Sequence, residues 1–137
     1  MDKSLNYMAL ARKGGRMELG EEPVGAAARA LHAVLVVVAE DASDHTWRRA
    51  KSFVAGTNQQ CVRVPYTKDQ LGMAIGRSAL AIAAFTDPAL ALAFVKALPP
   101  QESYAEAQAA LEERTKRVRQ RQKEAKAHFR NVKKGKK

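Results

Sequence analysis

The side chains that most often carry catalysis are few in this chain and lie far apart. His32, His45 and His128 have no metal-ligand spacing with one another or with a cysteine or carboxylate. Cys61 has no base near it in sequence, which is typical of a buried structural cysteine. Ser78 lacks the Gly-x-Ser-x-Gly pattern of a hydrolase nucleophile. We therefore expect no catalytic site and a protein that is not an enzyme.

Two short segments contain residue types that bind ions. Glu40 and Asp41 are adjacent carboxylates after an apolar run, but helix capping is a commoner use of such residues than metal binding. Gly72, Gly76 and Arg77 resemble a phosphate-binding loop only loosely, because no Gly-Lys-Ser/Thr accompanies them. The sequence thus predicts no metal ion, no cofactor and no small-molecule substrate.

Positive charge is the strongest chemical signal. The 137 residues include 24 Lys and Arg against 14 Asp and Glu, a net charge of +10. Residues 101–137 hold 12 basic and 5 acidic side chains, so this segment carries +7 of that charge. Such an excess favours a polyanionic partner, most often a nucleic acid. Aromatic residues make up only 6%, so base stacking across a sheet is not expected, and Trp47 is predicted to pack on the surface.

The elements that position these residues alternate between helix and strand. Ala33 to Ala39 and Ala79 to Phe85 are continuous apolar runs, which predict buried strands, and Cys61 to Val64 predicts a third. Because fully apolar strands need helices on both faces, we predict an α/β fold, a three-layer α/β/α sandwich with a small mixed sheet. Helices are predicted over 3–13, 21–31, 44–55, 67–74 and from 88 onward, with a short strand or turn over 17–20.

Polar residues at the predicted helix starts have the types and spacing of N-caps. Thr67 with Gln70 and Ser103 with Glu106 have the spacing of capping boxes. Asp87 precedes a proline that suits the first helical position. Ser4 is a further predicted cap, and the helix at 44–55 is expected to be capped by Asp41, Ser43 or Asp44.

Pro99 and Pro100 divide the chain into a domain over 1–98 and an extension over 99–137. The extension is rich in helix formers, so we predict a long basic helix that ends in a disordered tail from Lys133. At 100° per residue, five cations share one face, three arginines form a second stripe and a weakly apolar stripe separates them. These sets are Lys116, Arg119, Lys123, Lys126 and Arg130; Arg114, Arg117 and Arg121; and Tyr104, Ala107, Leu111, Val118, Ala125 and Phe129.

Hydropathy and cysteine content indicate where the chain resides. The longest apolar runs have seven residues, whereas a membrane span needs about 20. Residues 1–7 have no signal-peptide core, and one cysteine suits a reducing compartment. The extension makes a poor heptad seam, since Thr115 and Gln122 occupy its intervening core positions. We expect a cytoplasmic monomer with no membrane contact.

Several segments together resemble the kink-turn-binding ribosomal protein superfamily of the L-seven-Ae and L-thirty-e type. The similarity is greatest to its bacterial YlxQ-like branch and covers residues 4 to about 98. The segments are LNYMALARKGG at 5–15, LGEE at 19–22, VLVVVAEDAS at 34–43, VPYTKDQLGMAIGRS at 64–78 and ALAIAAFTD at 79–87.

The resemblance implies an α/β/α sandwich that binds RNA at one edge, as part of the ribosome or translation machinery. The edge would combine the start of the second helix with the loops after the first buried strand and before the last one. The implied RNA-binding residues are Gly20, Glu21, Glu22, Glu40, Asp41, Ala42, Gly76, Arg77 and Ser78, with Arg12, Lys13 and Arg16 beside them. The five-cation face of the extension is predicted to be a secondary RNA contact.

The second helix departs from the superfamily pattern Gly-x-Asn-Glu-x-x-Lys. Glu22, Pro23 and Ala26 stand where that pattern has Asn, Glu and Lys. An ionised glutamate only accepts hydrogen bonds and repels phosphate, whereas asparagine both donates and accepts. These departures leave an alternative open: a protein-interaction module that keeps the fold, has a degenerate RNA site and uses the basic helix as an arm.

Overall fold

The computed structural model describes residues 2–135 of the chain, with side chains described from Asp2 to Ala127. It is a mixed α/β fold in which all the predicted helices and strands occur, so the predicted fold class is confirmed. The strands are β1 (Met17–Leu19), β2 (Leu35–Val38), β3 (Gln60–Arg63) and β4 (Ile82–Phe85). The helices are α1 (Lys3–Lys13), α2 (Glu21–Arg29), α3 (Asp44–Val54), α4 (Lys68–Ala74), α5 (Pro88–Ala97) and α6 (Ala105–Gly135), with a 3₁₀ turn at Glu102–Tyr104 before α6.

The four strands form one mixed sheet in the order β1-β4-β2-β3. β2 is parallel to β3, while β4 runs antiparallel to both of its neighbours, β1 and β2. Every residue of β2 and β4 is buried, which explains why both appear in the sequence as unbroken apolar runs. Because β2 and β4 are antiparallel, the end of β2 lies beside the start of β4, and Val38 pairs with Ile82.

Helices cover the sheet on both faces. α2 and α3 pack together against one face, while α1 and α5 pack together on the other, where α4 also contacts α1. Phe85 of β4 contacts Phe94 of α5, with ring centroids 5.0 Å apart, at the centre of the second layer. Leu35 pairs with Phe85 in register, so it points to the same face of the sheet.

Most helix starts follow the predicted caps. The side chains of Ser43, Thr67 and Asp87 each accept a backbone hydrogen bond from the first turn of α3, α4 and α5. The prediction for Ser4 is wrong, because this side chain is buried and bonded to the hydroxyl of Tyr66. The Ser103 box does not form either, because Ser103 lies in the 3₁₀ turn and donates to Gln101.

The first turns of α6 belong to the hydrophobic core. Tyr104, Ala107 and Leu111 are buried, and α6 packs along α5 and β3. The predicted apolar stripe thus forms the buried side of α6 up to Leu111, whereas Val118 and Ala125 are exposed. The helix extends to Gly135, past the predicted start of a disordered tail at Lys133, and the last two residues of that tail lie outside the described residues.

No helix in residues 2–135 is both long enough and apolar enough to cross a membrane. The long helix α6 fails this test on composition, since most of its length carries Lys, Arg, Glu and Gln side chains.

Candidate nucleic-acid interface

Three of the segments implied by the resemblance meet on the side of the sheet where β1 and β2 end and β4 begins, which we call the α2 edge. Gly20 follows β1, and its N–H donates to the carbonyl of Ile82 at 3.0 Å. Glu40 follows β2, and its N–H donates to the carbonyl of Tyr66 at 2.9 Å. The loop over residues 76–78 leads into the start of β4. Because β1 and β2 both end where β4 begins, all three segments lie at the same edge.

The start of α2 presents backbone amides together with carboxylates. Gly20 has φ 94°, a conformation that favours glycine, and no side chain caps the helix. Pro23 has no N–H, so the amides without a helical partner in the first turn are those of Glu21 and Glu22. Glu21 forms an ion pair with Arg49 of α3, whereas no ion pair is found for Glu22 among the described side chains.

The loop after β2 is held by its own polar groups. Asp41 Oδ1 accepts a hydrogen bond from the N–H of Lys68 at 2.8 Å, so this carboxylate satisfies the first amide of α4. Ala42 is buried, and its carbonyl accepts from Arg63 Nη2 at 3.0 Å. Glu40 is exposed. Capping therefore accounts for Asp41, and Glu40 is the side chain of this loop that is free to reach a ligand.

The loop before β4 places a cation at the α2 edge. Gly76 has φ 78°, and the N–H of Arg77 donates to the carbonyl of Gly72 at 2.8 Å. This turn fixes the backbone of residues 76–78 against α4 while the Arg77 and Ser78 side chains stay exposed. Arg77 has no ion-pair partner among the side chains from Asp2 to Ala127.

The expectation that Arg12, Lys13 and Arg16 lie beside these segments is wrong. The carbonyl of Arg16 accepts a hydrogen bond from the N–H of Thr86 at 3.0 Å, and its guanidinium lies 3.3 Å from Asp87. Both partners directly follow the end of β4, so the end of α1 lies at the opposite edge of the sheet, which we call the α5 edge. The cause is the antiparallel pairing of β1 with β4, which puts Met17 opposite Phe85.

The N-terminal end of α1 approaches the α2 edge instead. Asp2 Oδ2 accepts a hydrogen bond from the hydroxyl of Tyr66 at 2.7 Å, and this hydroxyl also bonds to Ser4. Tyr66 immediately precedes the cap of α4 and is joined to Glu40 through its carbonyl. These contacts hold the loop after β2, the start of α4 and the start of α1 together.

Acidic groups outnumber basic ones among the predicted residues at the α2 edge. Four of them are carboxylates, and Arg77 is the only one with a positive side chain. Ionised carboxylates repel phosphate, but they accept hydrogen bonds from the amino groups of bases. The arrangement therefore suits base edges better than the sugar-phosphate backbone.

A groove of about 420 Å³ lies beside the α2 edge and was not predicted from the sequence. Trp47, Arg63 and Tyr104 line it, together with Glu40 and Cys61. The guanidinium of Arg63 lies 5.2 Å from the centre of the Trp47 ring, and the Tyr104 hydroxyl donates to the carbonyl of Arg63 at 3.1 Å. The sequence contains no local signal for this groove, because residues from α3, β3 and the turn before α6 form it.

Burial controls the chemistry of Cys61 in this groove. Burial raises the pKa of the Cys61 thiol to about 12, so the thiol is neutral and poorly nucleophilic near neutral pH. Burial likewise raises the pKa of Tyr66 to about 12. Among the residues described with side chains, no group of three His, Cys, Asp or Glu is placed to hold a metal ion.

We expect the free energy of unfolding to fall as the pH rises above about 9. The unfolded thiol ionises near its ordinary pKa of about 8.5, and the unfolded tyrosine near 10, while both folded groups keep their protons to about 12. Urea denaturation at several pH values measures this loss. In C61A the decline should begin about 1.5 pH units later, where the unfolded tyrosine ionises. An unchanged profile would contradict the assignment to Cys61.

Comparisons with known proteins find similarity in structure only. No protein-family model matches the chain, and no curated protein matches it by sequence. A protein of unknown function from Bacillus halodurans has a TM-score of 0.66 and 23% identity, covering 71% of this chain and 97% of that one. The 15.5kD RNA binding protein of Giardia lamblia has a TM-score of 0.58 and 18% identity, covering 69% of this chain and 81% of that one. The chain thus shares its fold with both proteins.

Proposed function

We propose that this chain is a non-catalytic RNA-binding protein that recognises structured, kink-turn-like RNA through the α2 edge. The meeting of the three segments at this edge, in a fold shared with an RNA binding protein, carries the proposal. Its setting would be the ribosome or the translation machinery of the cytoplasm, as the similarity to the kink-turn-binding superfamily implies.

The α2 edge offers complementary hydrogen-bonding groups for unpaired bases. The amides of Glu21 and Glu22 donate, and the exposed carboxylates of Glu22 and Glu40 accept from base amino groups. Arg77 is placed to bond a phosphate or a guanine from the adjacent loop. Bases are accessible in this way only where the RNA is bent or unpaired, which favours a structured internal loop over a regular duplex.

One observation favours the alternative of a protein-interaction module. The carboxylates of Glu22 and Glu40 are exposed at an edge where Arg77 is the one cation among the predicted site residues. A basic segment of a protein partner would find charge complementarity there. Binding that requires the α2 edge but not RNA would therefore support this second function.

Changing Arg77 to Ala should weaken binding of a kink-turn RNA by about ten- to a hundredfold, because a hydrogen bond to a charged group contributes roughly 1.5–3 kcal/mol. Arg77 is exposed and has no ion-pair partner among the described side chains, so the free energy of unfolding should change by less than about 0.5 kcal/mol. A fluorescence titration with the full chain measures the affinity, and urea denaturation measures the stability.

Arg29→Ala is the matched control, since Arg29 is also exposed but ends α2 far from its first turn. Equal effects of R77A and R29A would place the RNA site elsewhere. Loss of folding in R77A would make Arg77 a structural residue. Equal affinity of the unmodified chain for kink-turn and straight duplex RNA would overturn the recognition of bent RNA.

A further inference from the structure

The long helix α6 crosses the domain from the α2 edge toward the α5 edge. Its first turn begins where the Tyr104 hydroxyl bonds to the carbonyl of Arg63 at the end of β3. Two turns later Leu111 lines the same cavity as Val34 and Gln60, near the starts of β2 and β3. Lys96, near the end of α5, lies 3.8 Å from Glu112. Leu92, one turn earlier in α5, lines a groove with Lys116 of the next turn of α6, so the two helices run antiparallel. The helix is therefore aimed at the edge where α5 begins.

Beyond Thr115, α6 has no buried side chain up to Ala127. The helix axis continues to Gly135, which at 1.5 Å per residue makes an arm of about 30 Å. Because the core holds the preceding turns, the direction of this arm is set by the domain. An isolated helix of this composition would be only marginally stable in water.

The α5 side of this arm is positively charged. Lys116, Arg119 and Lys123 line a groove with Leu92 of α5, and helical spacing places Lys126 on the same side. None of these four forms an ion pair with another side chain between Asp2 and Ala127. The fifth cation of the predicted face, Arg130, lies beyond the described side chains.

A second group of cations lies at the same edge, on the other side of α5. Arg12 and Lys13 end α1 there, Arg16 follows in the loop before β1, and all three are exposed. α5 packs against both α1 and α6, so it separates the two groups. Asp87, the acidic residue at its start, is already paired with Arg16, and α5 itself contains no acidic side chain. No unpaired carboxylate of α5 interrupts the positive surface between α1 and α6.

We propose that these two groups form one RNA-backbone-binding surface at the α5 edge, separate from the α2 edge. Helices that pack side by side lie 8–10 Å apart, so α1 and α6 are about 18 Å apart across α5. The cations of α6 cover about 15 Å along its axis. A surface of this size and charge matches the phosphates of an RNA duplex, and it lacks the large apolar stripe that a membrane-binding helix needs.

The inference rests on the proposed RNA-binding function and deepens it. The predicted residues of the α2 edge include one cation, Arg77, against four carboxylates, and the neighbouring Arg49 and Arg63 bond to groups of the domain itself. The main phosphate affinity of the chain is therefore assigned to the α5 edge. With the two surfaces at opposite edges of the sheet, one molecule binds a structured loop and a separate duplex segment at once.

Three double variants of the full chain test this inference. R12Q/K13Q and R119Q/K123Q each remove two cations of the proposed surface, from α1 and from α6. R117Q/R121Q is the matched control, because it removes two cations from the other stripe of α6. The probes are a straight RNA duplex of about 20 base pairs and a kink-turn RNA, titrated between 50 and 200 mM salt. A gel-shift assay with both RNAs, each carrying its own label, detects the ternary complex.

Each surface variant should bind the duplex more weakly than the unmodified chain at low salt. Between 50 and 200 mM salt its duplex affinity should fall by roughly tenfold less than that of the unmodified chain, since two phosphate contacts disappear. The control should bind like the unmodified chain. An unchanged R12Q/K13Q or R119Q/K123Q, or an equally weakened control, would overturn the single surface. Kink-turn binding without duplex binding or without a ternary complex would overturn this inference alone, whereas binding of neither RNA would overturn the proposed function.

Discussion

Ending the chain at residue 100 should remove most of the stability of the fold, although the proline pair at 99–100 has the composition of a domain boundary. Tyr104 and Leu111 would be lost, and their exposed fractions are 4% and 1%. Removing two large buried side chains costs roughly 5 kcal/mol or more, which is comparable to the total stability of a small domain. Urea denaturation followed by circular dichroism measures the loss.

A chain that ends at residue 120 is the matched control, because it keeps Tyr104, Ala107, Leu111 and Thr115, the buried side chains of this segment. We expect it to unfold at nearly the same urea concentration as the full chain. Leu111→Ala in the full chain should cost about 2–5 kcal/mol and separates the loss of packing from the loss of length. Equal midpoints for the chains ending at 100 and 120 would show that α6 adds nothing to the core.

The elements of the sandwich were predictable because their signals are local. β2 and β4 are short apolar runs buried on both faces, and Thr67 and Asp87 cap α4 and α5. Each signal depends on residues within a few positions of one another, so the printed sequence contains it. These elements form as predicted because the local preferences of their residues agree with the overall fold.

The errors concern contacts between distant parts of the chain. Ser4 has the residue type and position of a cap, but its partner is Tyr66, 62 positions away. β1 has only three residues, which is too short for periodicity to reveal that it pairs antiparallel with β4. That pairing decides at which edge α1 ends. It places Arg12, Lys13 and Arg16 at the α5 edge, whereas the prediction had them at the α2 edge.

The candidate site was predictable only in part for the same reason. Its segments came from a resemblance in residue order, and the convergence of Gly20, Glu40 and Arg77 then follows from the strand order. In the sequence, the only sign that α6 contributes to the core is its weakly apolar stripe. The buried side of α6 ends at Thr115, because the domain does not bury the helix beyond this residue.

Gly72→Ala should be the most disruptive single substitution at the α2 edge. A Cβ atom at Gly72 would lie 2.7 Å from the backbone N and Cα of Ala79 and 2.9 Å from the carbonyl oxygen of Arg77. These are backbone atoms, so no rotamer change relieves the overlap, and the loop over residues 76–78 must move away from α4. We expect a loss of about 1–3 kcal/mol of stability and weaker RNA binding, because Arg77 moves with the loop.

Gly14→Ala is the matched control for this substitution. Its Cβ would meet its nearest neighbour at 3.5 Å, an ordinary contact, and its φ of −82° is open to any residue. Urea denaturation and a kink-turn RNA titration of both variants separate the two effects. Since Arg77→Ala removes the side chain and leaves the backbone in place, RNA binding weaker in G72A than in R77A would show that the loop backbone contributes. A G72A protein as stable as G14A would contradict the close packing of this loop on α4.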